Sequence, residues 1–130
     1  MELSRERPEG IVLVRHVAAN HIVIDDRELE HSFLLVPERA IEDWPVDLAD
    51  KLDAGQVAPL LDLQPEVILL GTGTRQVFPP AEFLAGFLRK GIGIEVMDNS
   101  AAARTYNLLA GEGRKVLAAF ILPGQSASAA

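Results

Sequence analysis

Two short stretches carry residue types whose spacing could do chemistry on a ligand: Gly71-Thr72-Gly73-Thr74-Arg75 and Asp98-Asn99-Ser100. Glycines at a sharp turn bring backbone N–H groups close to a bound group, and a helix starting just beyond them favours an anion. Arg75 and Arg104 offer counter-charge, and Asn107 lies three residues past Arg104. Together these positions make a candidate binding site for a small anion or a partner. The nucleotide signatures are incomplete. A dinucleotide fingerprint needs a third glycine where Gln76 stands, and no Gly-Lys-Ser/Thr follows. Pro79 and Pro80 also withdraw two donors from the next helix start. The competing reading makes the glycine segment a required turn and Asn99 or Ser100 a plain helix cap.

Other chemistries find less support. The chain has no cysteine, which excludes disulfides, thiolate-held metals and cysteine nucleophiles. His16 and His21 flank an expected turn, with Asp25 or Glu30 as nearest further ligands, but no metal spacing signature joins them. Asp98 as a catalytic base would need a perturbed pKa and a substrate proton within reach. No catalytic residue, metal site or cofactor is therefore assigned. Twelve basic against nineteen acidic residues give a net charge of −7, which argues against nucleic-acid binding. No apolar run approaches the roughly 20 residues of a membrane span, and the first residues lack a signal-peptide core. A soluble, cytoplasmic domain is expected, without direct membrane insertion.

The elements that must position these residues follow from the patterning. At 130 residues the chain suits one domain, expected over 11–123 between a flexible segment at 1–10 and a disordered tail at 124–130. Ile11–Val14, Ile22–Ile24 and Phe33–Val36 read as strands joined at Ala19-Asn20 and Asp25-Asp26, an antiparallel meander. Asp47 is expected to cap a short helix through Leu52 that stops at Gly55, with another helical turn around Val57, Leu60 and Leu61. Trp44 is read as core or as part of a partner-facing patch. Val67–Leu70 and Val116–Leu122 are apolar strands, Ile94–Met97 is the strand between them, and helices opening at Pro79-Pro80 and at Asn99 or Ser100 alternate with these strands. The expected stripes are Phe83, Leu84, Phe87 and Leu88 on the first helix, and Ala101, Ala102, Thr105, Tyr106, Leu108 and Leu109 on the second. Gly91 and Gly111 are the expected stops. The order predicts an α/β, three-layer fold with a mixed central sheet, an N-terminal antiparallel β meander followed by βαβαβ.

Glu66–Thr74, Gly93–Asp98, Arg104-Thr105-Tyr106-Asn107 and Glu112-Gly113-Arg114, in that order, resemble a small Mth938-like domain family of unknown function. Its relatives include the mitochondrial respiratory complex I assembly factor 3 and an adipogenesis-associated protein. The resemblance covers about Ile11 to Leu122 and implies the same three-layer fold, with no established reaction. It departs from the family pattern at Asn99, where Thr is expected, and at Ala103, where Cys is frequent. A thiol mechanism there is thus ruled out for this chain.

Two functions follow as expectations. The first is a non-catalytic domain that binds another protein, as an assembly-type scaffold. The second is a binder of a small anionic molecule in a crevice between Gly71–Thr74 and Asp98–Asn107. The sequence leaves the partner and the oligomeric state open.

Overall fold

The structure, a computed structural model, describes residues 10–25 and 27–122. Asp26 of the second expected turn, most of the N-terminal segment and the whole 124–130 tail lie outside the described residues. The described residues form eight strands: β1 (Val14–Val17), β2 (Ile22–Ile24), β3 (Arg27–Leu29), β4 (Phe33–Val36), β5 (Arg39–Ile41), β6 (Val67–Gly71), β7 (Gly93–Met97) and β8 (Val116–Phe120). The helices are α1 (Val57–Leu61), α2 (Ala81–Leu88) and α3 (Asn99–Gly111).

The strands divide into two sheets. β1, β2 and β3 form an antiparallel meander, and the second sheet runs β5-β4-β8-β6-β7. In that sheet β6 pairs in parallel with β7 and β8, while β4 is antiparallel to β8 and β5. The mixed central sheet and the leading meander agree with the sequence. The meander keeps three strands, but its third is the unexpected β3, because Phe33–Val36 leaves it to pair with Phe120, Ala119 and Ala118. β1 also starts at Val14, the last residue of the expected strand, and continues to Val17.

Side chains alternate across a strand, so the central sheet has two different faces. Phe33, Leu35, Leu69, Ala118 and Phe120 pack toward α3 and the three-stranded sheet. Leu34, Ile68, Leu70, Leu117 and Ala119 pack toward Trp44, α1 and α2. Each layer is therefore closed by apolar contact on the sheet. All five residues of β8 are buried, as befits a central strand covered on both faces. The crossovers β6–α2–β7 and β7–α3–β8 run in opposite directions along the sheet. Crossovers of one hand then carry their helices to opposite faces.

The segment between β5 and α1 differs from expectation. Leu48, without a side-chain bond, stands where Asp47 is expected to cap, and only a 3₁₀ turn at Ala49–Lys51 forms. Gly55 lies inside a second 3₁₀ turn, Ala54–Gln56, capped by the Asp53 carboxylate accepting from its N–H at 2.9 Å. The expected helix stripes hold at their centres, with Phe83, Phe87, Ala102 and Tyr106 buried, but differ at their flanks. Leu88 and Leu108 are 63% and 61% exposed, while Ala103 and Ala110 are buried. α3 is pressed between two sheets, so its buried arc is Asn99, Ala102, Ala103, Tyr106 and Ala110. Gly111 is the last residue of the helix, as expected, and Arg114 N–H bonds Leu109 C=O at 3.0 Å just beyond it.

Candidate functional site

The two glycine- and asparagine-bearing corners lie side by side. β6 and β7 are in-register parallel neighbours, with Gly71 opposite Met97, so Thr72–Arg75 and Asp98–Ser100 leave the same edge of the sheet. One connection turns toward α2 and the other toward α3. Such a switch point is where open α/β sheets leave a ligand crevice beyond the strand ends. Here the crevice is filled from within.

Asn99 fills it. The residue is 2% exposed. Its Oδ1 accepts from Gly73 N–H at 3.2 Å, its Nδ2 donates to Ile121 C=O at 2.9 Å, and its own N–H donates to Gly73 C=O at 2.8 Å. One amide thus joins the ends of β6 and β8 to the start of α3. A Cβ on Gly71 would sit 2.4 Å from Asn99 Oδ1, so only glycine leaves room for this arrangement. Gly73, at φ +106°, then turns its carbonyl back toward Asn99 through a conformation costly for other residues.

Thr72 is similarly engaged and is buried. Its N–H donates to Met97 C=O at 2.9 Å, its hydroxyl donates to Arg75 C=O at 2.6 Å, and Val77 N–H donates to that hydroxyl at 3.0 Å. The cap of α3 is Asp98, one residue earlier than the expected Asn99 or Ser100. Its carboxylate accepts from Ala101 N–H at 2.8 Å. A negative charge of the protein already occupies the positive end of this helix.

Asn107 stands two turns away and does not reach the corner. Its Oδ1 accepts from Val14 N–H at 2.9 Å and its Nδ2 donates to Val14 C=O at 2.8 Å, reproducing a strand partner for β1. Beside it, Tyr106 donates to Val12 C=O at 2.7 Å. Burial, with the charges of Glu38 and Asp25 adding to it, pushes the Tyr106 phenol well above its ordinary range. The Tyr106-Asn107 pair therefore fastens the start of the N-terminal sheet to α3. Helix periodicity puts Asn107 on a free face, because it does not show a second sheet beside α3.

What remains open to solvent at the rim is Thr74, Arg75, Ser100 and Arg104, all exposed. Neither arginine forms an ion pair among the described residues. His16 and His21 face each other with ring centroids 6.0 Å apart. No group of three His, Asp or Glu is placed to hold a metal among the described residues. A feature that the sequence does not reveal is a cleft of about 180 Å³ at the opposite end of the parallel strands. Ile11, Val36, Leu63 and Val116 contribute its apolar lining, while Glu38 and Lys115 supply charge. Its parts come from separate stretches of chain, so no local motif announces it.

A family profile described as "Protein of unknown function (DUF498/DUF598)" matches residues 14–121. The chain belongs to this DUF498/DUF598 family. Among solved structures, the Xanthomonas campestris protein XCC1710 is 44% identical with a TM-score of 0.82, over 95% of this chain and 94% of its own. A Bordetella pertussis protein described as a Mth938-like domain is 28% identical with a TM-score of 0.76 over 89% of each chain. A "13 kDa major membrane protein" of Francisella tularensis is 27% identical over 89% of this chain and 95% of its own length. Human NADH dehydrogenase [ubiquinone] 1 alpha subcomplex assembly factor 3 is 28% identical over 93% of this chain. The DUF498/DUF598 chain spans 66% of that assembly factor's length. No described helix in it is long and apolar enough to cross a membrane.

Proposed function

We propose that this DUF498/DUF598 domain is a non-catalytic scaffold that binds another protein in the assembly of a larger complex. One observation supports this reading above others: the polar side chains best suited to chemistry hold the fold together. Asn99, Thr72, Asp98 and Asn107 each bond backbone of their own chain. A group already committed in this way is poorly placed to bind or activate a substrate. The kinship with proteins named as complex I assembly factors favours the same reading. A cytoplasmic location belongs to this proposal, as does the absence of a cofactor. Affinity capture from the native host, with quantitative mass spectrometry against a tag-only control, tests it. Reproducible enrichment of one protein supports the scaffold, and enrichment of none counts against it.

A second reading rests on the adjacent corners. Arg75 and Arg104 flank the rim without ion pairs among the described residues, and Thr74 and Ser100 add hydroxyls. A small anion, phosphate or carboxylate, fits that set. A thermal-shift screen against phosphates, nucleotides and carboxylates addresses it. Ligand at about 100 times its dissociation constant adds about 2.7 kcal/mol of stability. No shift with any of them removes the reading.

A further inference from the structure

The strands β3 and β5 are each the outer strand of a different sheet, and each is hydrogen-bonded on one side only. The Arg27–Glu42 ion pair ties the two edges together. Beside that pair run two contiguous depressions that share His31, Glu42 and Asp43. They measure about 230 and about 240 Å³. Neither alone reaches the roughly 300 Å³ of a compact ligand pocket, and being contiguous they form one seam. Glu28, Glu30, Asp43 and Asp47 line it, all exposed, and none has an ion-pair partner among the described residues.

A second, independent feature points the same way. Trp44 lines the second depression and is 6% exposed, and its indole N–H is buried without an acceptor among the described residues. A buried donor left unmatched is costly, and indole can only donate. Unmatched carboxylates call for cations, while the indole calls for a neutral or negative oxygen. An extended peptide with basic side chains carries both, since its backbone supplies carbonyl oxygens. Open strand edges are also the usual docking place for such a segment.

We propose that the seam, which runs from the end of β3 to the segment just after β5, receives an extended, lysine- or arginine-rich segment of a partner protein. This rests on the scaffold reading and locates the partner on the molecule.

The probe is an acetylated, amidated octapeptide of alternating lysine and valine, with a glutamate–valine peptide as its opposite. Trp44 is the single tryptophan, so its emission reports on the seam directly. The expected result is a saturable change with the lysine peptide and none with the glutamate peptide. Glu30→Lys with Asp43→Lys should weaken binding at least tenfold, and Glu30→Gln with Asp43→Asn gives the same reading should charge reversal disturb folding. Hydrogen exchange at Glu28 and Leu29, which line the seam, should slow on binding. Lack of saturation, or equal affinity in these variants, overturns the proposal. Capture from the host separates it from the scaffold reading. A partner retained by the Glu30/Asp43 variant sinks the seam and leaves the scaffold. Specific peptide binding with no partner recovered does the reverse.

Discussion

Asn99 Oδ1 lies 2.4 Å from where a Cβ on Gly71 would stand, so the two residues are sterically coupled across the ends of β6 and α3. Gly71→Ala should cost about 1–3 kcal/mol through overpacking. Asn99→Ala leaves Gly73 N–H and Ile121 C=O without partners and should cost about 2–4 kcal/mol. The double variant should lose less than the sum, because removing the amide clears the space for the new methyl. Urea unfolding of the four proteins in this cycle gives the coupling directly, and strict additivity would show that the two residues do not communicate.

The Asn107 amide serves as a strand partner for Val14, so its loss should be felt locally first. Asn107→Ala should speed amide exchange at Val14, with exchange at Leu69 and Ala118 rising only as far as global stability falls. Asn107→Asp keeps the acceptor and loses the donor, and should lie between wild type and Ala in exchange. Uniform acceleration across both sheets would contradict the fastening role.

Tyr106 is the only tyrosine, which makes its titration readable by phenolate absorbance. Burial holds the phenol protonated in the fold, so its folded pKa lies above the ordinary value of about 10. Below about pH 10 neither state ionises and the contribution is intact. Above it the unfolded chain releases a proton that the folded chain retains, so stability falls as pH rises from about 10 toward the folded pKa. Tyr106→Phe should flatten that decline while losing the bond to Val12, about 0.5–1.5 kcal/mol at neutral pH. Phenolate absorbance appearing near pH 10 in the folded protein would refute this.

Arg75 and Arg104 should be expendable to the fold. Both are exposed and make no ion pair among the described residues. Arg75→Ala and Arg104→Ala should each change stability by no more than about 0.5 kcal/mol. Any loss of partner or anion binding in them would then report on recognition alone, and melting curves settle the first half of that statement.

The apolar runs at Val67–Leu70 and Val116–Phe120 make the two buried parallel strands legible, because such strands need no alternation, whereas β7 is an outer strand with Glu95 exposed. The adjacency of the two corners follows from the order of those elements. The departure of β4 from the meander is not legible, since its partner β8 lies far along the chain, Phe33 meeting Phe120. Nor are the tasks of Asn99, Tyr106 and Asn107. Each bonds backbone groups remote in sequence, and residue type alone does not say which carbonyl a side chain will meet. Leu88 and Leu108 look buried from periodicity, which gives the width of an apolar stripe but not which flank meets the sheet.

β8 sits at the middle of the five-stranded sheet, yet it is the last described strand to leave the ribosome. Until residues 116–120 emerge, β4 and β6 have no shared neighbour, and each keeps a long side of unmatched amides and carbonyls. Nascent chains halted before Val116 should therefore be sensitive to protease and dependent on chaperones, with cooperative closure arriving only once β8 has emerged.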